Sequence, residues 1–118
     1  MTKDDLLECV ELCAEMDDLN LRIADMELRA DDSGGLAKIV FDRRLATMRK
    51  RCANIGERVS GWIAELNRLP SMEFRLIYMH YFEGESWQKV ADELGYSVDY
   101  VKGKLRKKAL RNLKNGTL

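Results

Sequence analysis

The sequence of 118 residues is poor in the residues that interrupt helices and in those that run much of enzyme chemistry. It has one proline, Pro70, so a chain of this length can run through long helices with a single obligatory break. It has one histidine, His80, and no serine, cysteine or acid stands at a spacing that would make it a nucleophile's base, so an enzyme is the least favoured class. It has three cysteines, Cys9, Cys13 and Cys52. Cys9 and Cys13 lie four apart on one helical face, but with no fourth cysteine a zinc set cannot be completed, and buried structural thiols are expected. No cofactor or metal is expected. Free cysteines suit a reducing cytoplasm. No apolar run approaches the roughly 20 residues of a membrane span, so no membrane partner is expected, and the acidic opening MTKDDLLE is not a signal peptide.

Net charge is also absent, but the zero is a sum of unlike parts. Residues 1–32 carry eleven acidic and three basic side chains; residues 36–69 carry eight basic and three acidic; residues 70–118 carry nine basic and six acidic. A polyanion meets attraction in the second half of the chain and repulsion in the first. Helix formers dominate and 46% of the residues are hydrophobic, which predicts an all-α chain with ample core.

Periodicity divides that chain. Leu12, Met16, Leu19, Ile23, Met26 and Ala30 recur at helical spacing, extended by Leu6, Val10 and Cys13, and predict one helix over about 4–30, with Thr2 or Asp4 as its N-cap. Asp31-Asp32-Ser33-Gly34-Gly35 breaks it. Phe41, Leu45, Met48, Cys52, Ile55, Val59, Trp62, Leu66 and Leu69 then alternate at spacings of four and three, a coiled-coil-like seam on a helix over about 36–67. The short loop and the opposite charges make the first helix its expected antiparallel partner. The same seam would serve a homodimer through the hairpin. Gly56 and Gly61, each costing about 1 kcal/mol inside a helix relative to alanine, suggest a close backbone approach.

Leu69-Pro70-Ser71 ends this hairpin, giving expected domains of 1–68 and 69–118. A largely apolar third helix runs to about Phe82, and Gly84 supplies a turn. Ser86 caps a fourth helix with Trp87, Val90, Ala91 and Leu94 inward. Gly95 turns the chain, and Ser97 caps a last helix held by Val101, Leu105, Ala109, Leu110 and Leu113. Two serine-capped helices around a glycine turn are the pattern of a helix-turn-helix, whose second helix enters the DNA major groove. From Val98 to Asn115 seven residues are basic and one is acidic. Steps of about 100° from Val101 and Leu105 put Val98, Asp99, Lys102, Gly103 and Arg106 outward, flanked by Tyr100, Lys104 and Lys107. Val98, Asp99, Tyr100 and Gly103 are the base-proximal candidates; Lys102, Lys104, Arg106 and Lys107 are the phosphate candidates. The expected partner is double-stranded DNA.

The motifs LPSMEFRLIYMHYFEGES, WQKVADELGYS and SVDYVKGKLRKKAL together resemble region four of bacterial sigma factors, the module that reads the −35 promoter element. The likeness covers Leu69 to Leu113 without a gap. It implies a three-helix helix-turn-helix bundle, promoter DNA and contact with RNA polymerase or an anti-sigma protein. Phe74 departs from the charged residue usual in that family, and residues 1–68 show nothing like region two, so a complete sigma factor is not implied. A helical hairpin before such a module resembles the small phage and prophage transcription regulators of the ArpU and RinA kind. A small-terminase-like packaging protein, which would form a ring, is the other architecture that joins these parts.

Overall fold

The computed structural model describes residues 1–116. Among them every regular element is a helix. α1 spans Lys3–Asp31 and α2 spans Gly35–Asn67. α3 covers 71–82, in α geometry over Ser71–Ile77 and in the wider π geometry over Tyr78–Phe82. α4 spans Trp87–Leu94. α5 covers 98–115: an α turn over Val98–Tyr100, a π segment over Val101–Leu105, then α helix over Arg106–Asn115. No helix among the described residues is long and apolar enough to cross a membrane.

The chain forms two compact units. One is Glu11–Ser60; the other joins Met1–Val10 to the chain from Gly61 onward. Compactness therefore does not divide at the expected 68/69 boundary, because the start of α1 and the end of α2 belong to the unit that holds α3, α4 and α5. Leu6 and Cys9 of α1 and Leu66 and Leu69 are as buried in that unit as Leu76, Ile77, Val90, Val101 and Ala109.

Within Glu11–Ser60, α1 and α2 form a helical hairpin. Ala30, Leu45, Ile55 and Val59 are buried, while Leu12, Met16, Leu19, Ile23, Met26, Phe41, Met48 and Cys52 are half-buried. The reversal uses Gly35 at φ +61°, and the Ser33 hydroxyl donates to Arg29 O at 2.7 Å. Ion pairs cross the hairpin. Arg49 meets Glu27 at 2.7 Å, and Arg51 grips Glu15 through two hydrogen bonds of 2.5 and 3.0 Å. That hydrogen-bonded guanidinium holds the Glu15 carboxyl below its ordinary value. Solvent exposure keeps such pairs weak, so they select register more than they supply stability. Gly56 and Gly61 do not mark a close approach: a Cβ at either position would meet nothing within 4 Å. An internal glycine has no side chain to reveal which way it faces, and these two face open space.

In the other unit, α1 begins with a reciprocal cap. Thr2 N donates to the Asp5 carboxylate at 2.9 Å, and Asp5 N donates to the Thr2 hydroxyl at 3.1 Å, so Thr2 rather than Asp4 is the N-cap. Met1 N donates to Leu113 O at 2.9 Å, tying this start to the last turns of α5. Glu73 of α3, only 2% exposed, accepts from Asn112 Nδ2 of α5 at 2.6 Å.

Candidate functional site

The site is built around the turn between α4 and α5. Ser86 has extended backbone and its hydroxyl accepts from Lys89 N at 3.2 Å, starting α4. Lys89, which cannot complete a capping box, instead reaches Glu85 at 3.2 Å. α4 ends at Gly95, whose φ of +79° an L side chain rarely adopts. Ala91 O accepts from both Gly95 N, at 2.9 Å, and Tyr96 N, at 3.1 Å, so the helix end is satisfied within the turn. Ser97 then repeats the role of Ser86, its hydroxyl accepting from Tyr100 N at 3.2 Å. Both serine caps and the glycine turn act as the sequence predicts. Val90, Ala91, Leu94, Val101 and Leu105 are buried on the inner sides of the two helices.

The other sides carry the candidate residues. Asp99, Tyr100, Lys102, Lys104 and Lys107 are exposed; Val98 and Gly103 are half-buried. A Cβ at Gly103 would meet nothing within 4 Å, so the missing side chain leaves an open notch in the helix surface. All but Lys107, which follows the π segment, share the first turns of α5. Arg106 does not stay with them. It is half-buried, its guanidinium carbon lies 6.0 Å from the centre of the Trp87 ring, and its buried Nε has no hydrogen-bond partner among the described residues. The reason is the π segment at Val101–Leu105. Its hydrogen bonds run i to i+5, so each residue there advances the helix by less than the 100° of an α turn. The outward phase read from Val101 is therefore lost by residue 106, and the side chain turns toward α4. The expected outward placement of Arg106 is corrected on this point.

Behind the turn lies a ring cluster with little sequence signature. His80 stacks on Trp87 with centroids 3.7 Å apart, and Tyr81 meets both edge-on. His80 Nδ1 is 2.8 Å from Glu85 O; a carbonyl accepts only, so Nδ1 carries the proton. Burial raises the Tyr81 phenol above its ordinary value, opposed by the charge of nearby Arg106. His80 is thus a packing and hydrogen-bonding residue of the α3–α4 corner. On α3, Phe74, Tyr78 and Phe82 stack in sequence with centroids 5.9 and 5.7 Å apart, and Tyr78 remains exposed.

One exposed residue beside the candidates was not singled out from sequence. Tyr96, in the turn, packs its ring 4.9 Å from that of Tyr100, and both are exposed. Their i, i+4 spacing is legible, but only the cap at Ser97 carries that spacing across a helix boundary.

No family model matches this chain, and no curated protein or solved structure matches it.

Proposed function

We propose that this protein is a sequence-specific, non-enzymatic DNA-binding transcription regulator of the phage or prophage kind, with α4 and α5 as its helix-turn-helix. The observation that carries the reading is the surface of α5's first turns. A capped, tightly turned helix presents Asp99, Tyr100, Lys102 and Lys104 to solvent around the open notch of Gly103. Its opposite side is fixed in a core by Val101 and Leu105. A rigidly seated helix with an exposed N-terminal turn is what major-groove reading requires.

In this reading the first turns of α5 enter the groove. Asp99 accepts from a cytosine amino group, and Val98 and the Tyr100 ring meet base edges and thymine methyls. Gly103 lets the helix sit close to the floor of the groove. Lys102, Lys104 and Lys107 take phosphate oxygens on either side and set register without reading sequence. Arg106 holds Trp87 and joins the phosphate set only by leaving that ring. The resemblance to sigma region four supports the same assignment and adds RNA polymerase as a protein partner. The stacked Phe74, Tyr78 and Phe82, with Tyr78 exposed, favour a protein contact on α3. A coiled-coil-like hairpin is the support for this module. Its exposed Leu21, Leu28, Leu36, Ile39 and Val40 favour self-association through it.

The test is a titration on random and promoter-like duplexes at two salt concentrations, with mass read by light scattering on the same sample. Salt-sensitive binding with a preferred sequence by a monomer or dimer is the expected result. Absence of binding to any duplex refutes the reading in favour of a protein-binding module, and a large ring refutes it in favour of a packaging protein.

A further inference from the structure

α5 does not end its positive charge where its first turns leave the groove-facing set. Lys107, Arg111 and Lys114 follow at i, i+4 and i+7 within the regular α segment, so they form one row. They are exposed, and with Lys3, Thr2 and Leu110 they line an open cleft of about 570 Å³. Lys3 belongs to the first turn of α1, which the Thr2–Asp5 cap and the Met1–Leu113 hydrogen bond fix in place. Four cations from two helices thus face one cleft. Among the described residues no carboxylate lines it, and none of the four has an ion-pair partner. The α1 surface next to Lys3 supplies acids, yet Asp5 is turned to the helix cap.

Like charges gathered without counter-charge repel one another, and a bound anion relieves that repulsion. The row has the dimensions of an extended one. Seven residues of α helix rise about 10 Å, long enough to follow a DNA backbone past more than one phosphate. Lys3 adds a fourth cation from a second helix.

We propose that this cleft is a second DNA-backbone site, in which Lys3, Lys107, Arg111 and Lys114 receive phosphodiester oxyanions beyond the segment read by the first turns of α5. The inference rests on the DNA-binding reading and extends it to Lys3, Arg111 and Lys114. It makes the opening turn of α1 part of the nucleic-acid surface although the rest of that helix is acidic. The contact is blind to sequence, so it adds affinity and salt dependence but no base preference.

The experiment compares the full chain with the triple variant Lys3→Ala, Arg111→Ala, Lys114→Ala and with the charge-keeping triple Lys3→Arg, Arg111→Lys, Lys114→Arg. Binding to one duplex is measured from 50 to 200 mM salt. Losing three phosphate contacts should lower the slope of log affinity against log salt by about 2.7. Over that salt range the affinity of the unmodified chain should then fall about forty times more than that of the alanine variant. The charge-keeping variant should retain the original slope, and base preference should be unchanged in both. Lysine acetylation of the unmodified protein gives a readout independent of the variants' folding: duplex DNA should protect Lys3, Lys107 and Lys114. Unmodified protein that binds duplex while the alanine variant keeps its slope, or while these lysines stay reactive, overturns the cleft site and leaves the DNA-binding reading standing. Unmodified protein that binds no duplex at any salt overturns both.

Discussion

Replacing Asn112 by alanine tests how α5 is locked to α3. Glu73 is 2% exposed and its carboxylate accepts from Asn112 Nδ2 at 2.6 Å, a short charge-assisted hydrogen bond. Truncating Asn112 leaves the carboxyl in place with that donor gone. Hydrogen bonds to charged groups contribute about 1.5–3 kcal/mol, and an abandoned buried partner adds its desolvation cost. Part of that cost is recovered if water enters, so the expected loss is about 2–3 kcal/mol. For a chain of this size it lowers the melting temperature by roughly 8–12 °C. Urea unfolding followed by circular dichroism at 222 nm reads the loss directly. Two companions sharpen the result. Glu73→Gln keeps an acceptor oxygen while removing the charge, and should cost less than Asn112→Ala. The double variant Glu73→Leu, Asn112→Leu removes both polar groups, and should be more stable than Asn112→Ala alone because no buried group is left without a partner. A loss below about 0.5 kcal/mol for Asn112→Ala, the range of an ordinary surface change, would refute the claim that this bond carries the α3–α5 contact. So would a double variant less stable than the single one.

Four further outcomes are expected. Gly103→Ala should stabilise the fold by up to about 1 kcal/mol, since its Cβ meets open space, yet weaken duplex binding several-fold; equal or tighter binding would remove Gly103 from the groove-facing set. Gly56→Ala should also stabilise by about 1 kcal/mol, with no loss of binding, and a lowered melting temperature would contradict the open space around it. The pair Leu21→Glu, Leu28→Glu should leave the monomer's helix content unchanged and reduce any self-association seen by light scattering; unchanged mass in an associating sample would exclude that face. By carboxyl NMR titration Glu15 should have a midpoint below its ordinary 4.5, and Arg51→Ala should return it there. Because the folded value is depressed, the stabilisation from this pair is complete above the ordinary value and is lost as pH falls through the depressed one.

The starts of all five helices, the two serine caps and the glycine turn of α4 and α5, and the inward residues of those two helices are legible because each depends on a few neighbouring residues. Ser86, Gly95 and Ser97 act through hydrogen bonds three or four residues away, and the seam from Leu45 to Leu69 follows a simple period. Arg106 was misplaced because its orientation depends on a π segment that no apolar period announces. Glu73 and Asn112 are thirty-nine residues apart, and neither looks unusual until the fold buries one against the other. The cleft cations belong to α5 and to a lysine more than a hundred residues earlier, in the most acidic part of the chain. Gly56 and Gly61 show the reverse case: a glycine inside a helix fits a close approach or open space equally well, and here the space is open.

The π segment at Val101–Leu105 also separates α5 into two helices of different angular phase that share one backbone. Residues before it and after it need not keep a common heptad, so changes that retune the exposed turn at 98–100 are decoupled from the seating of Ala109 and Leu113. Excising one residue from the segment would restore a continuous α helix and leave everything beyond it close to its present phase, since four α steps of about 100° turn the chain about as far as five of the smaller π steps. Arg106 would stay beside Trp87, and Ala109 and Leu113 would stay in the core. The extra residue is thus absorbed within the segment, and a recognition surface grafted onto this helix should carry Val101–Leu105 with it, because Lys102, Gly103 and Lys104 lie there.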